Sequence, residues 1–137
     1  MRIAILVVAA AAAGCASGQM PGSGTGTVVK PGARTALEIS TWRRGTDGPV
    51  RVWTLRCPPG GTLPNTARAC SRLDALGPKA FKPVPRNVAC TEIYGGPQVA
   101  EVRGTFNGRS IKARFTRANG CEIDRWDRHR FLFPIGT

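Results

Sequence analysis

The sequence predicts an α+β domain built on an antiparallel sheet, and three observations predict it. Strand-like stretches fall in two runs, residues 36–56 and 100–115, with a helix-like stretch at 69–76 between them. Runs of strands set apart from helices, rather than alternating with them, favour an antiparallel sheet with the helices to one side. Four cysteines at positions 57, 70, 90 and 121 are spread across these stretches, as in small exported domains that rely on covalent staples.

Export is read from the N-terminus. Arg2 is followed by an apolar run over residues 3–13, too short for a spanning helix and suited to a signal peptide. Ala12-Ala13-Gly14-Cys15 resembles a bacterial lipoprotein signal, in which cleavage precedes Cys15 and its thiol takes a diacylglyceryl group. Residues 1–14 are therefore expected to be a signal peptide. Residues 15–33, rich in Gly, Pro, Ser and Thr, are expected to be a flexible tether, and residues 34–137 one domain. The chain would then lie outside the cytoplasm, held to the outer face of the bacterial membrane by lipid or secreted. The chain has five cysteines, and acylation of Cys15 leaves an even set of four. Four cysteines allow three pairings, which sequence alone leaves open; nearest-neighbour pairing is the working choice.

The formal net charge is +12, from 20 Lys and Arg against 8 Asp and Glu. Such a balance attracts polyanions. Export and paired cysteines argue against nucleic acid, and no groove-reading motif is present.

Along the domain, residues 36–40 alternate apolar and polar, and residues 50–56 are β-branched and aromatic. The polar turn from Arg43 to Pro49 would join them as a hairpin. Residues 57–64 hold three prolines and two glycines and exclude regular structure. Asn65 or Thr66 is expected to cap a helix whose inner side is Ala69, Cys70, Leu73 and Leu76, ended by Gly77-Pro78. Phe81 and Val84 would anchor the proline-rich stretch that follows. Asn107-Gly108 suits a two-residue hairpin turn, because both central residues need positive φ. With Phe106 facing Arg109, one face holds Ala100 opposite Phe115, Val102 opposite Ala113 and Gly104 opposite Ile111. The other pairs Glu101 with Arg114, Arg103 with Lys112 and Thr105 with Ser110. A slip of one residue would scatter both sets. Residues 122–130 read as a charged loop, and residues 131–135 as a short fifth strand ending at Pro134.

Catalytic signals are poor. His129 is the one histidine, set among Arg125, Asp127, Arg128 and Arg130 and expected at the surface. The cysteines lack the spacing and the histidine partners of a zinc site, so no metal or cofactor is expected. Trp42, Trp53 and Trp126 are expected to serve the core. The residues thus argue against an enzyme. The more informative stretch is Cys90-Thr91-Glu92-Ile93-Tyr94-Gly95-Gly96-Pro97, an extended segment tethered by a cysteine and closed by a turn signal.

Residues 54–64, Ala69-Cys70-Ser71-Arg72-Leu73, Cys90-Thr91-Glu92-Ile93-Tyr94 and Asn119-Gly120-Cys121-Glu122 together resemble the subtilisin-inhibitor-like family of secreted bacterial proteins. The resemblance spans residues 37–133 and includes four cysteines. It implies pairing of Cys57 with Cys70 and Cys90 with Cys121, and a five-stranded antiparallel sheet with two short helices. It also implies substrate-like inhibition of an extracellular serine protease, with Cys90 three residues before the scissile bond, Thr91 two, Glu92 in the primary specificity position and Ile93 and Tyr94 beyond it. Asn119 matches a position that supports the loop by hydrogen bonds. Two departures bear on the target. The family commonly carries Met, Lys or Arg where this chain has Glu92, and one residue where it has Gly95-Gly96. The implied partner is a subtilisin-like or Glu-preferring serine protease, with a homodimer known in the family. The other reading is a non-inhibitory envelope lipoprotein that binds an anionic polymer or protein through its basic surface.

Overall fold

The computed structural model describes residues 34–135, so the expectations for the signal peptide, Cys15 and the tether lie outside the described residues. The chain runs β1 (Thr35–Trp42), β2 (Val50–Cys57), α1 (Thr66–Leu76), β3 (Val99–Phe106), β4 (Arg109–Phe115) and α2 (Gly120–His129). A short 3-10 turn follows each helix, at Gly77–Lys79 and Arg130–Leu132. Among the described residues the sheet has four strands in the order β2-β1-β3-β4, each pair antiparallel.

Alternation along β1 sets the two faces of the sheet. Leu37 and Ile39 are buried, while Ala36 and Glu38 are exposed. The buried face joins Leu55, Val102, Ala113 and Phe115 in one core, covered by Ala69, Cys70 and Leu73 of α1 and Trp126 of α2. The β3–β4 hairpin has the register expected from its sequence, from Ala100 opposite Phe115 to Phe106 opposite Arg109. Its turn uses positive φ at Asn107 (50°) and Gly108 (77°), which only residues tolerant of the left-handed region adopt at low cost.

At α1 the expected side-chain cap is not made. Asn65 is left-handed, with φ 56° and no side-chain cap bond, and its carbonyl accepts from Ala69 N–H at 3.0 Å. Ala69, Cys70 and Leu73 nonetheless face the core, and Cys70 is bonded to Cys57 at the end of β2.

Two expectations for the C-terminal part need correction. Residues 122–130 are helical rather than a charged loop, 122–129 within α2 and Arg130 opening the 3-10 turn, and His129 is only 3 % exposed. Residues 131–135 are not a strand, so the fifth strand is absent among the described residues. Phe133 N–H bonds back to Arg130 O at 3.0 Å, closing a turn, and Pro134 has no N–H to offer a ladder. The apolar alternation there reflects core packing instead. Leu132 is fully buried, and the Phe133 ring lies 4.7 Å from Trp126 and 5.0 Å from Phe115 between centroids.

Candidate functional site

Residues 89–96 have no regular secondary structure and connect the proline-rich stretch to β3. Thr91, Glu92, Ile93 and Tyr94 are all exposed, Ile93 at 60 % and Tyr94 at 68 %. Large apolar side chains left this far in water mark a binding surface when they cluster. Val88, two residues before Cys90, is 48 % exposed.

The loop is held at both stems by one short segment. On the N-terminal side Cys90 is bonded to Cys121, and Gly120 N–H donates to Thr91 O at 2.9 Å. On the C-terminal side Gly95 N–H donates to Arg117 O at 2.7 Å. Residues 92–94 thus lie between two backbone anchors, both supplied by the β4–α2 junction. Glycine permits the close approach at each. A Cβ on Gly120 would collide with Thr91 Oγ1, and one on Gly95 would meet Ile123 Cδ1 at 2.8 Å. Gly95, the first of the Gly95-Gly96 pair, is thus pinned at the C-terminal stem of the loop.

The junction is fixed in turn by α2. Asn119 caps this helix, its Oδ1 accepting from Glu122 N–H at 3.0 Å. The capped end is the helix start from which Gly120 N–H donates to Thr91 O. Arg125, 5 % exposed, ties the helix to two distant carbonyls, donating from Nε to Lys82 O at 3.0 Å and from Nη1 to Arg114 O at 2.7 Å. Its guanidinium also lies 4.0 Å from the centre of the Phe115 ring and 3.3 Å from Glu122. Burial pulls the Arg125 pKa down and the Glu122 carboxylate pushes it back. The two ring nitrogens of His129 lie 2.8 Å from Arg125 O and 2.6 Å from Ala80 O, and the neutral ring, with one N–H, donates to one of these carbonyls. Burial holds its pKa below the ordinary value; the two carbonyls oppose that, and the charges of Arg125 and Arg128 reinforce it.

Sequence reasoning overlooked Gly120, Arg125 and His129 as supports. The signal for the helix was present in Asn119-x-x-Glu122, the spacing of an N-cap and its third residue, followed by Ile123 and Trp126 three apart. Nothing local marks Arg125 as buried. Of the three tryptophans, Trp126 is in the core and Trp53 packs against it partly buried. Among the described residues, no group of three or more His, Cys, Asp or Glu is placed to hold a metal, and no helix is long and apolar enough to cross a membrane.

Comparison with known proteins places this loop in context. The subtilisin inhibitor-like family profile matches residues 33–119. Subtilisin inhibitor-like protein 1 of Streptomyces cacaoi is 37 % identical over 103 residues, covering 68 % of this chain and 90 % of that protein. Subtilisin inhibitor-like protein 4 of Streptomyces lavendulae is 31 % identical over 107 residues, covering 74 % and 91 %. Among solved structures, Streptomyces caespitosus sermetstatin, crystallised with Bacillus licheniformis subtilisin, aligns at a TM-score of 0.48 and 23 % identity, over 73 % of this chain and 97 % of that one. On its sequence match along most of the domain, this chain belongs to the subtilisin inhibitor-like family.

Proposed function

We propose that the protein is a substrate-like inhibitor of an extracellular serine protease, presenting residues 90–94 to the active-site cleft with Glu92-Ile93 as the bond offered for cleavage. The supporting observation is the pair of backbone anchors, Gly120 N–H to Thr91 O and Gly95 N–H to Arg117 O, on either side of an exposed Glu92-Ile93-Tyr94. A segment already ordered loses little conformational entropy when it binds. Extended backbone also pairs with an enzyme edge as an added strand.

The same anchors account for slow hydrolysis. After cleavage at Glu92-Ile93, the Cys90–Cys121 bond and the Thr91 anchor would hold one new end, and the Gly95 anchor the other. Both ends would stay near attack distance, so religation competes with escape.

Glu92 narrows the target. Burying its carboxylate unpaired in an apolar pocket costs more than the roughly 2–7 kcal/mol of an unpaired neutral polar group, so the matching enzyme has a basic or Glu-preferring specificity pocket. Residues 1–33 carry the rest of the proposal, with Cys15 acylated and the domain displayed outside the membrane on a tether.

The test is inhibition of a panel of subtilisin-like, trypsin-like and Glu-selective serine proteases by the soluble domain, with Glu92→Lys alongside. Inhibition that moves from a Glu-selective to a trypsin-like enzyme with the substitution supports both loop and register. A folded, disulfide-bonded domain that inhibits no member of the panel in either form would sink the reading.

A further inference from the structure

Where the loop returns to the sheet, a second surface begins. Thr41, Arg43, Arg44, Pro49, Arg51 and Gln98 line an open concavity of about 500 Å3. Gln98 connects it to the loop. It follows Pro97 directly, its Oε1 is buried without a hydrogen-bond partner, and the residue also lines the neighbouring concavity that holds Arg117, Arg130 and one acidic residue, Asp127. Arg117 is the residue whose carbonyl anchors Gly95. A band of guanidinium groups therefore runs from the β1–β2 turn to the C-terminal stem of the loop.

Two arginines of this band, Arg44 and Arg51, are exposed, and neither forms an ion pair among the described residues. The acidic residue of the same turn, Asp47, does not line the concavity. By contrast, Glu101 on the sheet is bracketed by Arg103 at 2.7 Å and Arg114 at 2.9 Å, so the sheet neutralises its own charges where it needs to. Like charges gathered in a concavity with a low-dielectric wall focus the field and raise the local concentration of anions.

The geometry points to an electrostatic exosite: Arg44 and Arg51 meet an acidic patch on the protease, beside its active-site cleft, and speed association. This rests on the inhibitor reading, because a protease that takes residues 92–94 into its cleft brings its rim against the loop stem and the concavity that starts at Gln98. Attraction between exposed charges is screened beyond about 8 Å at physiological salt and reaches further at low salt, so the effect on association should be largest there. Complementary charge beside a contact raises the association rate more than it slows dissociation.

The experiment measures association and dissociation rates with each protease that the wild-type protein inhibits, at low salt and at about 0.5 M salt. It uses the wild type, Arg44→Glu/Arg51→Glu and Arg44→Lys/Arg51→Lys. Charge reversal is expected to slow association about tenfold or more at low salt, with dissociation nearly unchanged. The difference should shrink at high salt, and the lysine pair should keep most of the wild-type rate. Circular dichroism and the thermal midpoint check that the exposed substitutions leave the fold intact. An unchanged or faster association rate at low salt, with inhibition retained, overturns the exosite and leaves the inhibitor reading standing. If the reversed variant keeps its association rate but loses binding to polyphosphate, the band serves an anionic polymer and the exosite is likewise overturned. If the wild type inhibits nothing, both readings fall together.

Discussion

Two loops that each leave a disulfide-bonded cysteine and carry a Gly-Gly pair behave in opposite ways. Residues 58–65 leave Cys57 and fold back onto β2. Arg56 and Gly60 exchange two backbone bonds at 2.8 and 3.1 Å, Thr62 Oγ1 accepts from Thr54 N–H at 2.9 Å, and Leu63 N–H reaches Thr54 O at 3.0 Å. Leu63 is then 3 % exposed. Residues 91–96 leave Cys90 and turn outward, with Ile93 and Tyr94 in water and bonds at the stems only. A disulfide-bonded cysteine followed by a Gly-Gly pair therefore does not mean a single duty. The first loop uses its apolar residue to close the core, and the second leaves its own in water, where the proposed inhibitor would present them to a protease.

The largest test of that contrast lies in the disulfides. Removing Cys90–Cys121, whose cysteines are 31 residues apart, through Cys90→Ser/Cys121→Ser should destabilise the domain by about 4 kcal/mol. Denaturant unfolding gives that loss, and mass spectrometry should show the protein cut after Glu92 by a protease that the wild type inhibits. Removing Cys57–Cys70, 13 residues apart, should cost about 3 kcal/mol and leave the 92–93 bond intact under the same conditions. Equal cleavage of the two variants would erase the distinction. Next, Leu63→Ala should cost about 2–5 kcal/mol by opening a cavity, while Tyr94→Ala should change stability by less than about 0.5 kcal/mol and alter only inhibition.

Gly120→Ala sharpens the comparison at the stem. The new methyl meets Thr91, so the loop must shift; a cost of about 1–3 kcal/mol is expected, with weaker inhibition. Adding Thr91→Ala should relieve part of it, as a double-mutant cycle would report. Asn119→Ala removes the cap of α2 and should cost about 1 kcal/mol, with inhibition weakened beyond what the stability loss explains.

The smallest effect concerns pH. Burial keeps the His129 pKa below its ordinary 6.5, so just below that value the unfolded chain binds a proton that the folded chain refuses. Stability should therefore fall as pH drops from about 6.5 toward the lowered value. Glu101 acts lower. Burial would raise its pKa, but hydrogen bonds and charge from Arg103 and Arg114 prevail and set it below 4.5. Its stabilisation is present above that value and is lost on acidification through the depressed pKa. Thermal midpoints recorded from pH 8 to pH 3 should fall through both windows, and His129→Asn should flatten the upper one alone.

The sequence by itself determined the features that depend on near neighbours. Asn107-Gly108 and the alternation around it settle the β3–β4 register, since only one pairing puts Ala100, Val102, Ala113 and Phe115 on one face. The apolar side of α1 follows from its spacing in the same way. Family motifs placed the loop between Cys90 and Pro97. Tertiary structure decided the platform beneath that loop. Arg125 and His129 read as solvated charge because their partners, the carbonyls of Lys82, Arg114 and Ala80, are distant along the chain or outside any local pattern. A buried polar side chain is stable only when such partners are supplied, and a one-dimensional pattern cannot show that they are. The same holds for residues 131–135, whose alternation suits a strand until Leu132 and Phe133 find a core to enter and Pro134 leaves no donor for a ladder. Local pattern thus sets which residues are apolar-facing, and long-range packing decides which polar ones join them.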